Sequence, residues 1–351
     1  GEQVLVFVLV CLALVFVFYL PAMSRRVKES LYRRQSQQAS VLPGEEGRVA
    51  LTPPHHITVG EIRQTLRYQY GRAWSRKVRI LLIIGSVRDV EQLTPKLTQE
   101  LWQEDQSTLL LWGGDPGAAV DNAWFTALRK LRYRPADGMV WVTSGFDDVL
   151  TTMNRTKPRL TPDEMDSVSH SLKLRFEALG WKLPLYVWSL YEGGNEKNGR
   201  ITQPVGCLLP AGCTPQIVAE QFTALASLLI EQGIQQICGQ PQHNFLLALA
   251  DQLTRKPETV TEPLSVLLNP YRPQPLAGVV FSAPSAEAGR SISHHWGRDN
   301  LWDILPDRMT ELPAGLRPRK QGVNWMRGMS VAAAALMLLW AASMTVSFIA
   351  N

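Results

Sequence analysis

Val78 to Gly85 reads VRILLIIG. Apart from Arg79 every residue before the glycine is apolar. A strand with one wet face alternates polar and apolar residues. A short, nearly continuous apolar run closed by glycine is instead the mark of a strand buried on both faces, as in a parallel sheet.

The pattern repeats outward from this run. On its N-terminal side, Ile62, Leu66 and Tyr70 recur at i, i+4 and i+8 within Thr58 to Tyr70, the spacing of an amphipathic helix. On its C-terminal side a helical stretch from Pro95 to Trp102 precedes a strand from Thr108 to Trp112. A helix from Ala123 to Leu131, a strand from Gly138 to Thr143, a helix from Pro162 to Leu179 and a strand from Leu185 to Ser189 follow. Short strands alternating with helices imply βαβ crossovers and a parallel sheet covered on both faces. Beyond Gly193 the pattern changes. Pro215 to Glu231 and His243 to Arg255 read as helices, and Leu276 to Ser282 as one more strand. Residues 283–312 are loop-like and contain Trp296 and Trp302. Gln35 to Pro54 is a polar, turn-rich linker.

Both ends of the chain are apolar. Val4 to Leu20 and Met329 to Ala350 carry no charge, and a membrane-spanning helix needs about 20 such residues. A cleaved signal peptide has its basic stretch before the apolar core, whereas Arg25, Arg26, Lys28, Arg33 and Arg34 come after it. Arg317, Arg319, Lys320 and Arg327 form a second basic collar ahead of the last apolar run. Cationic flanks stay in the cytoplasm. The expected layout is therefore a transmembrane helix at 1–20, a basic juxtamembrane segment and linker at 21–57, and an α/β domain at 58–200. A mainly helical extension at 201–312, a basic segment at 313–327 and a second transmembrane helix at 328–351 complete it. Residues 21–327 would be cytoplasmic, with both chain ends directed to the periplasm. Gly1 as first residue and Asn351 directly after the last apolar run suggest an excerpt of a longer protein.

The formal charge of +5 resolves into −1 for residues 1–20, +4 for each collar, zero for 328–351 and −2 for 41–312. A nucleic-acid face needs Lys and Arg clustered on the folded part, so no nucleic acid is expected, and the collars suit anionic lipid headgroups. Cys11, Cys207, Cys213 and Cys238 match no paired C-x-x-C zinc spacing. The pairs His55-His56 and His294-His295 read as solvated loop histidines rather than metal ligands, because neighbouring residues diverge on strand and helix alike.

A glycine that closes the first strand is where a phosphate loop would begin. Gly-x4-Gly-Lys-[Ser/Thr] works because glycines admit the phosphates to the backbone N–H groups, the lysine neutralises them and the hydroxyl holds magnesium. Counted from Gly85, the second glycine falls on Val90, the lysine on Glu91 and the hydroxyl on Gln92. Glu91 would set a carboxylate against the phosphate charge.

Three local strings then carry a resemblance: Lys130 to Thr143 (KLRYRPADGMVWVT), Leu179 to Val187 (LGWKLPLYV) and Gly297 to Pro306 (GRDNLWDILP). With the order of apolar run, basic collar, α/β domain, extension, second collar and apolar run, the chain resembles the membrane-proximal part of the TssM (IcmF-like) proteins of type VI secretion systems. The resemblance implies a GTPase-like, P-loop NTPase-like parallel sheet. Many members of that family carry a phosphate loop, an Asp-Thr-Ala-Gly string and a Thr-Lys-x-Asp string. Here those positions read Gly85 to Gln92, Trp112-Gly113-Gly114-Asp115 and Ser189-Leu190-Tyr191-Glu192, so no catalytic, cofactor-binding or metal residue is carried over.

The expectation is a degenerate P-loop NTPase-like domain with a helical extension, flanked by two transmembrane helices and acting as a structural and interaction subunit rather than an enzyme. The resemblance implies a TssL-like membrane protein, a TssJ-like lipoprotein, baseplate components, further copies of the chain and membrane lipid as partners. The alternative is a membrane-tethered NTPase with an unorthodox phosphate loop, for which Arg88 is the one cation close to Gly85. A two-span receptor or transporter subunit is disfavoured, since neither apolar run carries an ionisable residue to line a pathway.

Overall fold

The computed structural model describes residues 55–144, 160–191, 204–239, 244–269, 273–284, 304–309 and 312–321. It also describes single positions, among them Phe146, His294, His295, Trp302 and separate residues between 329 and 345. In chain order these form α1 (His55–Tyr70), α2 (Trp74–Lys77), β1 (Arg79–Gly85), α3 (Val87–Leu93), α4 (Leu97–Glu100), β2 (Trp102–Asp105) and β3 (Thr108–Trp112). Next come α5 (Asn122–Leu128), β4 (Gly138–Thr143), α6 (Pro162–Leu179), β5 (Trp181–Lys182), β6 (Leu185–Leu190) and β7 (Val205–Leu208). Last are α7 (Pro215–Gly239), α8 (Phe245–Arg255), α9 (Glu258–Leu267), β8 (Leu276–Ser282), α10 (Ile304–Met309) and β9 (Arg319–Lys320).

Seven strands make one sheet in the order β2-β3-β1-β4-β6-β8-β7. The five inner strands run parallel, and β2 and β7 close the two edges antiparallel. This is a mixed α/β architecture compatible with a Rossmann or P-loop-like fold. Strands β7 and β8 arise within residues 201–312, so the region expected to be a helical extension supplies two strands of the same sheet. Helices α7 to α9 are part of the connection from β6 to β8.

Side chains of β1 divide with the pleat, as period two requires. Ile80, Leu82 and Ile84 enter a core shared with α1, α5, α6 and α7 to α9. Leu81 and Ile83 enter a second core with Val90, Leu93, Leu97, Trp302, Leu305 and Leu312. All five β1 residues are completely buried. Helix α6 shows how local signals set an element. Thr161 Oγ1 accepts from the Glu164 N–H, the Glu164 carboxylate accepts from the Thr161 N–H, Pro162 follows the cap, and Gly180 ends the helix at φ 76°.

Several expectations are corrected. The chain does not show a sheet flanked by two membrane-spanning helices: no helix among the described residues is long and apolar enough to cross a membrane. An apolar composition is not sufficient, because a span also needs an uninterrupted helix of about 20 residues. The expected span at 1–20 lies outside the described residues, as does most of the juxtamembrane segment at 21–57, and in 328–351 only separate helical positions are described. The longest described helix, α7, has 25 residues but carries Glu220, Glu231 and five glutamines. The stretch from Pro95 to Trp102 is one turn of helix between Lys96 and Leu101, both at positive φ, and Trp102 opens β2. Trp302 is core. Its indole N–H donates to Thr94 Oγ1 at 3.1 Å and its ring lies 4.7 Å from that of Trp188. Trp296 lies outside the described residues.

Candidate functional site

In open α/β sheets ligands bind beyond the carboxyl ends of the strands, where successive crossovers leave in opposite directions. Here β3 lies on one side of β1 and β4 on the other, which directs attention to the loops after β1, β3 and β4.

The loop after β1 is a single residue. Ser86 separates Gly85 from α3, and its Oγ accepts from the Asp89 N–H at 3.1 Å as an N-cap. The Val90 N–H is already bonded to the Ser86 carbonyl at 3.0 Å. A phosphate cradle needs several consecutive N–H groups free to converge on one anion, and a helix that starts at once consumes them. Space is also missing. A Cβ on Gly85 would fall 2.7 Å from the Val142 carbonyl oxygen and 2.9 Å from a Val90 methyl. Glu91 does not face this loop's anion position. Its carboxylate accepts from the N–H groups of Lys96 and Thr98, at 2.6 and 3.2 Å, and from the Thr98 hydroxyl. Arg88 lies on the exposed side of α3.

The neighbouring loops are closed by other internal bonds. Asp89 is buried and accepts from the Ser144 hydroxyl at 2.5 Å and from its N–H at 3.3 Å, which ties α3 to the end of β4. The loop after β3 is held by Arg175 of α6, itself 1% exposed. Its Nε donates to the Gly113 carbonyl at 2.9 Å and an Nη to the Asp115 carbonyl at 2.6 Å, while the other Nη reaches the Ser171 carbonyl and hydroxyl. Burial lowers the pKa of this guanidinium and the Asp115 carboxylate opposes that shift. A fixed cation therefore occupies the loop that would serve phosphate and magnesium in a GTPase-like site. Sequence reasoning passed over Arg175. Its signal was a lone arginine on the apolar stripe of Leu172, Phe176 and Leu179. At the third string, Ser189 and Tyr191 are described and Glu192 is not.

The histidines are not simple solvated loops. His55 opens α1, with Nε2 2.9 Å from an Asp121 carboxylate oxygen and its ring 5.4 Å from that of Trp124. The side chain of His56 lies outside the described residues. His294 stacks on Trp102 at 4.1 Å, and its carbonyl accepts from the Glu104 N–H at 2.8 Å, so 294–295 run along the outer edge of β2. They border a cavity of about 460 Å³ beside Glu104. Burial raises the pKa of Glu104 against the Tyr70 hydroxyl that donates to it. Among the described residues no group of three or more His, Cys, Asp or Glu is placed to hold a metal ion. Burial pushes the Cys207 thiol up to about 12 and raises that of Cys213, while Cys238 is exposed.

Compared with family models, curated proteins and solved structures, the chain matches none of them.

Proposed function

We propose that this domain is a pseudo-NTPase, a nucleotide-type sheet that works as a structural and interaction module. The observation that carries the reading is the one-residue connection between β1 and α3, with Val90 and Val142 against Gly85. A sheet of this topology whose ligand end is shut by Asp89–Ser144 and by Arg175 has no place there for a triphosphate. The three sequence strings support a specific setting, the membrane complex of a type VI secretion system, with the domain on the cytoplasmic side of a bacterial inner membrane. Its partners there are a TssL-like protein and baseplate components. Helix α7 offers a surface for such contacts. Ile230 and Ile234, one turn apart, are 43% and 53% exposed, and Leu228 is 57% exposed.

Calorimetric titration of the full chain with GTP and with ATP, each with magnesium, tests the first half. Binding weaker than about 1 mM is expected, since the charge-assisted phosphate contacts are missing. A micromolar dissociation constant would overturn the reading in favour of a working NTPase. Ile230→Ser with Ile234→Ser tests the second half. The variant should keep its melting temperature and lose capture of the TssL-like partner, and unchanged capture would remove α7 as the docking face.

A further inference from the structure

At the opposite end of the sheet, ahead of the first residues of β4 and β6, lies an open cavity of about 710 Å³. Three connections wall it. Arg129 and Tyr133 come from the run between α5 and β4, Glu177 and Trp181 from the end of α6 and the strand after it, and Lys320 and Gln321 from β9 and the residue that follows. Strands β5 and β9 pair antiparallel, with Trp181 opposite Lys320, and the Gln321 N–H donates to the Gly180 carbonyl at 2.9 Å. The second basic collar is thereby fastened into the wall.

The groups around this space are cationic, aromatic and incompletely satisfied. Arg129 donates from one Nη to the Glu177 carbonyl at 2.9 Å, which fixes its guanidinium at the rim with one of five donors used among the described residues. Lys320 Nζ lies 5.6 Å from the centre of the Tyr133 ring. That ring stands edge-on to Trp181 at 5.5 Å and is 79% exposed. The acid at the rim, Glu177, has Lys173 3.9 Å away on α6. Among the described residues the buried Gln321 side-chain oxygen has no hydrogen-bond partner, and an unsatisfied buried amide carries a cost that a ligand can relieve. A planar guanidinium and a mobile ammonium beside aromatic rings are the donors that recognise a phosphate on an organic group. The guanidinium bonds two phosphate oxygens at once and the ammonium adds a point charge.

We propose that this cavity binds a phosphate ester, with Arg129 and Lys320 on the phosphate, the Gln321 side-chain oxygen accepting from an adjoining hydroxyl, and Tyr133 and Trp181 along the organic part. The site is independent of the docking reading, which rests on the other end of the sheet and on α7. Two sources share this chemistry, a phospholipid headgroup and a free organic phosphate.

The full chain is tested at physiological salt, where exposed charges are largely screened beyond about 8 Å. Co-sedimentation uses vesicles of phosphatidylcholine mixed with phosphatidylglycerol, and calorimetric titration uses glycerol 3-phosphate. Arg129→Gln with Lys320→Gln should weaken binding about tenfold or more, as the loss of charge-assisted bonds implies. Arg255→Gln, an exposed cation of α8 outside the cavity lining, should leave it unchanged. Should the double variant fold poorly, Lys320→Gln alone removes an exposed side chain and must still weaken binding. Loss in the vesicle arm assigns a lipid headgroup, and loss in the soluble arm alone assigns a free phosphate ester. Absence of binding by the wild-type chain in both arms, or equal losses in the cavity and control variants, overturns the proposal.

Discussion

The two ends of the central sheet are made from the same strands and finish in opposite states. At the carboxyl end the polar groups around β1, β3 and β4 are spent on one another: Ser86 on the Asp89 N–H, Asp89 on Ser144, the Gly113 and Asp115 carbonyls on Arg175. At the amino end Asp137 is equally well satisfied, by the Ile80 N–H at 2.8 Å and by Arg132 and Arg134. Yet beside it Arg129, Lys320 and Gln321 surround open space. The comparison teaches that topology only nominates a crevice. Whether the crevice can take a ligand depends on which side chains have already filled it.

The largest test bears on the amino end. Asp137→Ala leaves the buried Arg132 guanidinium and the Ile80 N–H without their carboxylate, and should cost about 3–5 kcal/mol in a urea melt. A loss below about 1 kcal/mol would mean that this end does not depend on the pair. The matching change at the carboxyl end is smaller. Arg175→Met keeps the apolar bulk but strands the Gly113 and Asp115 carbonyls, at about 1–3 kcal/mol, with faster amide exchange in 113–115. If this variant acquired nucleotide binding, the closure would rest on Arg175 alone and not on the short β1–α3 connection.

Glu104 offers a smaller, pH-dependent comparison from the sheet's edge. Burial raises its pKa above the ordinary 4.5. The protonated form is therefore favoured in the folded chain, and its stabilisation, complete below that ordinary value, is lost as pH rises through the folded one. Glu104→Gln should gain stability relative to wild type at pH 7 and show little gain at pH 4. A gain independent of pH would assign the effect to packing. The smallest effect is kinetic. With its thiol pushed up to about 12, Cys207 should react with maleimide at pH 8 far more slowly than exposed Cys238, read by mass spectrometry of the labelled peptides. Equal rates would mean that the β7–β8 edge opens readily.

Much of the sheet was legible because its signals are local. The bounds of β3, β4 and β8 coincide with their apolar runs, and α6 is framed by Thr161-Pro162, Glu164 and Gly180. The edge strands were not legible. β2 reads WQED and β7 reads VGCL, too short and too mixed to announce a strand, and each exists through its neighbour. Helix α9 hid behind Pro263. Trp302 reads as a loop aromatic, yet it is placed by Thr94 and Trp188, both more than a hundred residues away. The departure from the phosphate-loop pattern is legible in Val90, Glu91 and Gln92, and the one-residue β1–α3 connection is not. A fixed Gly-x4-Gly register presumes a loop of a certain length. Here α3 begins too early, so Glu91 belongs to the cap of the next turn. The apolar runs at the chain ends were legible as composition, whereas an uninterrupted spanning helix was not there to be found among the described residues.

The place of β6 between β4 and β8 has a consequence for synthesis. Leu185–Leu190 is apolar and wholly buried in the finished sheet, but its partner on one side is Leu276–Ser282. A ribosome moving at roughly 5–20 residues per second takes about 4–17 s to travel between them. For that interval the nascent chain carries an unpaired strand edge of the kind that recruits neighbouring polypeptides. The helices of the intervening crossover are made in the same interval, and the edge closes only when the last strand of the parallel set emerges.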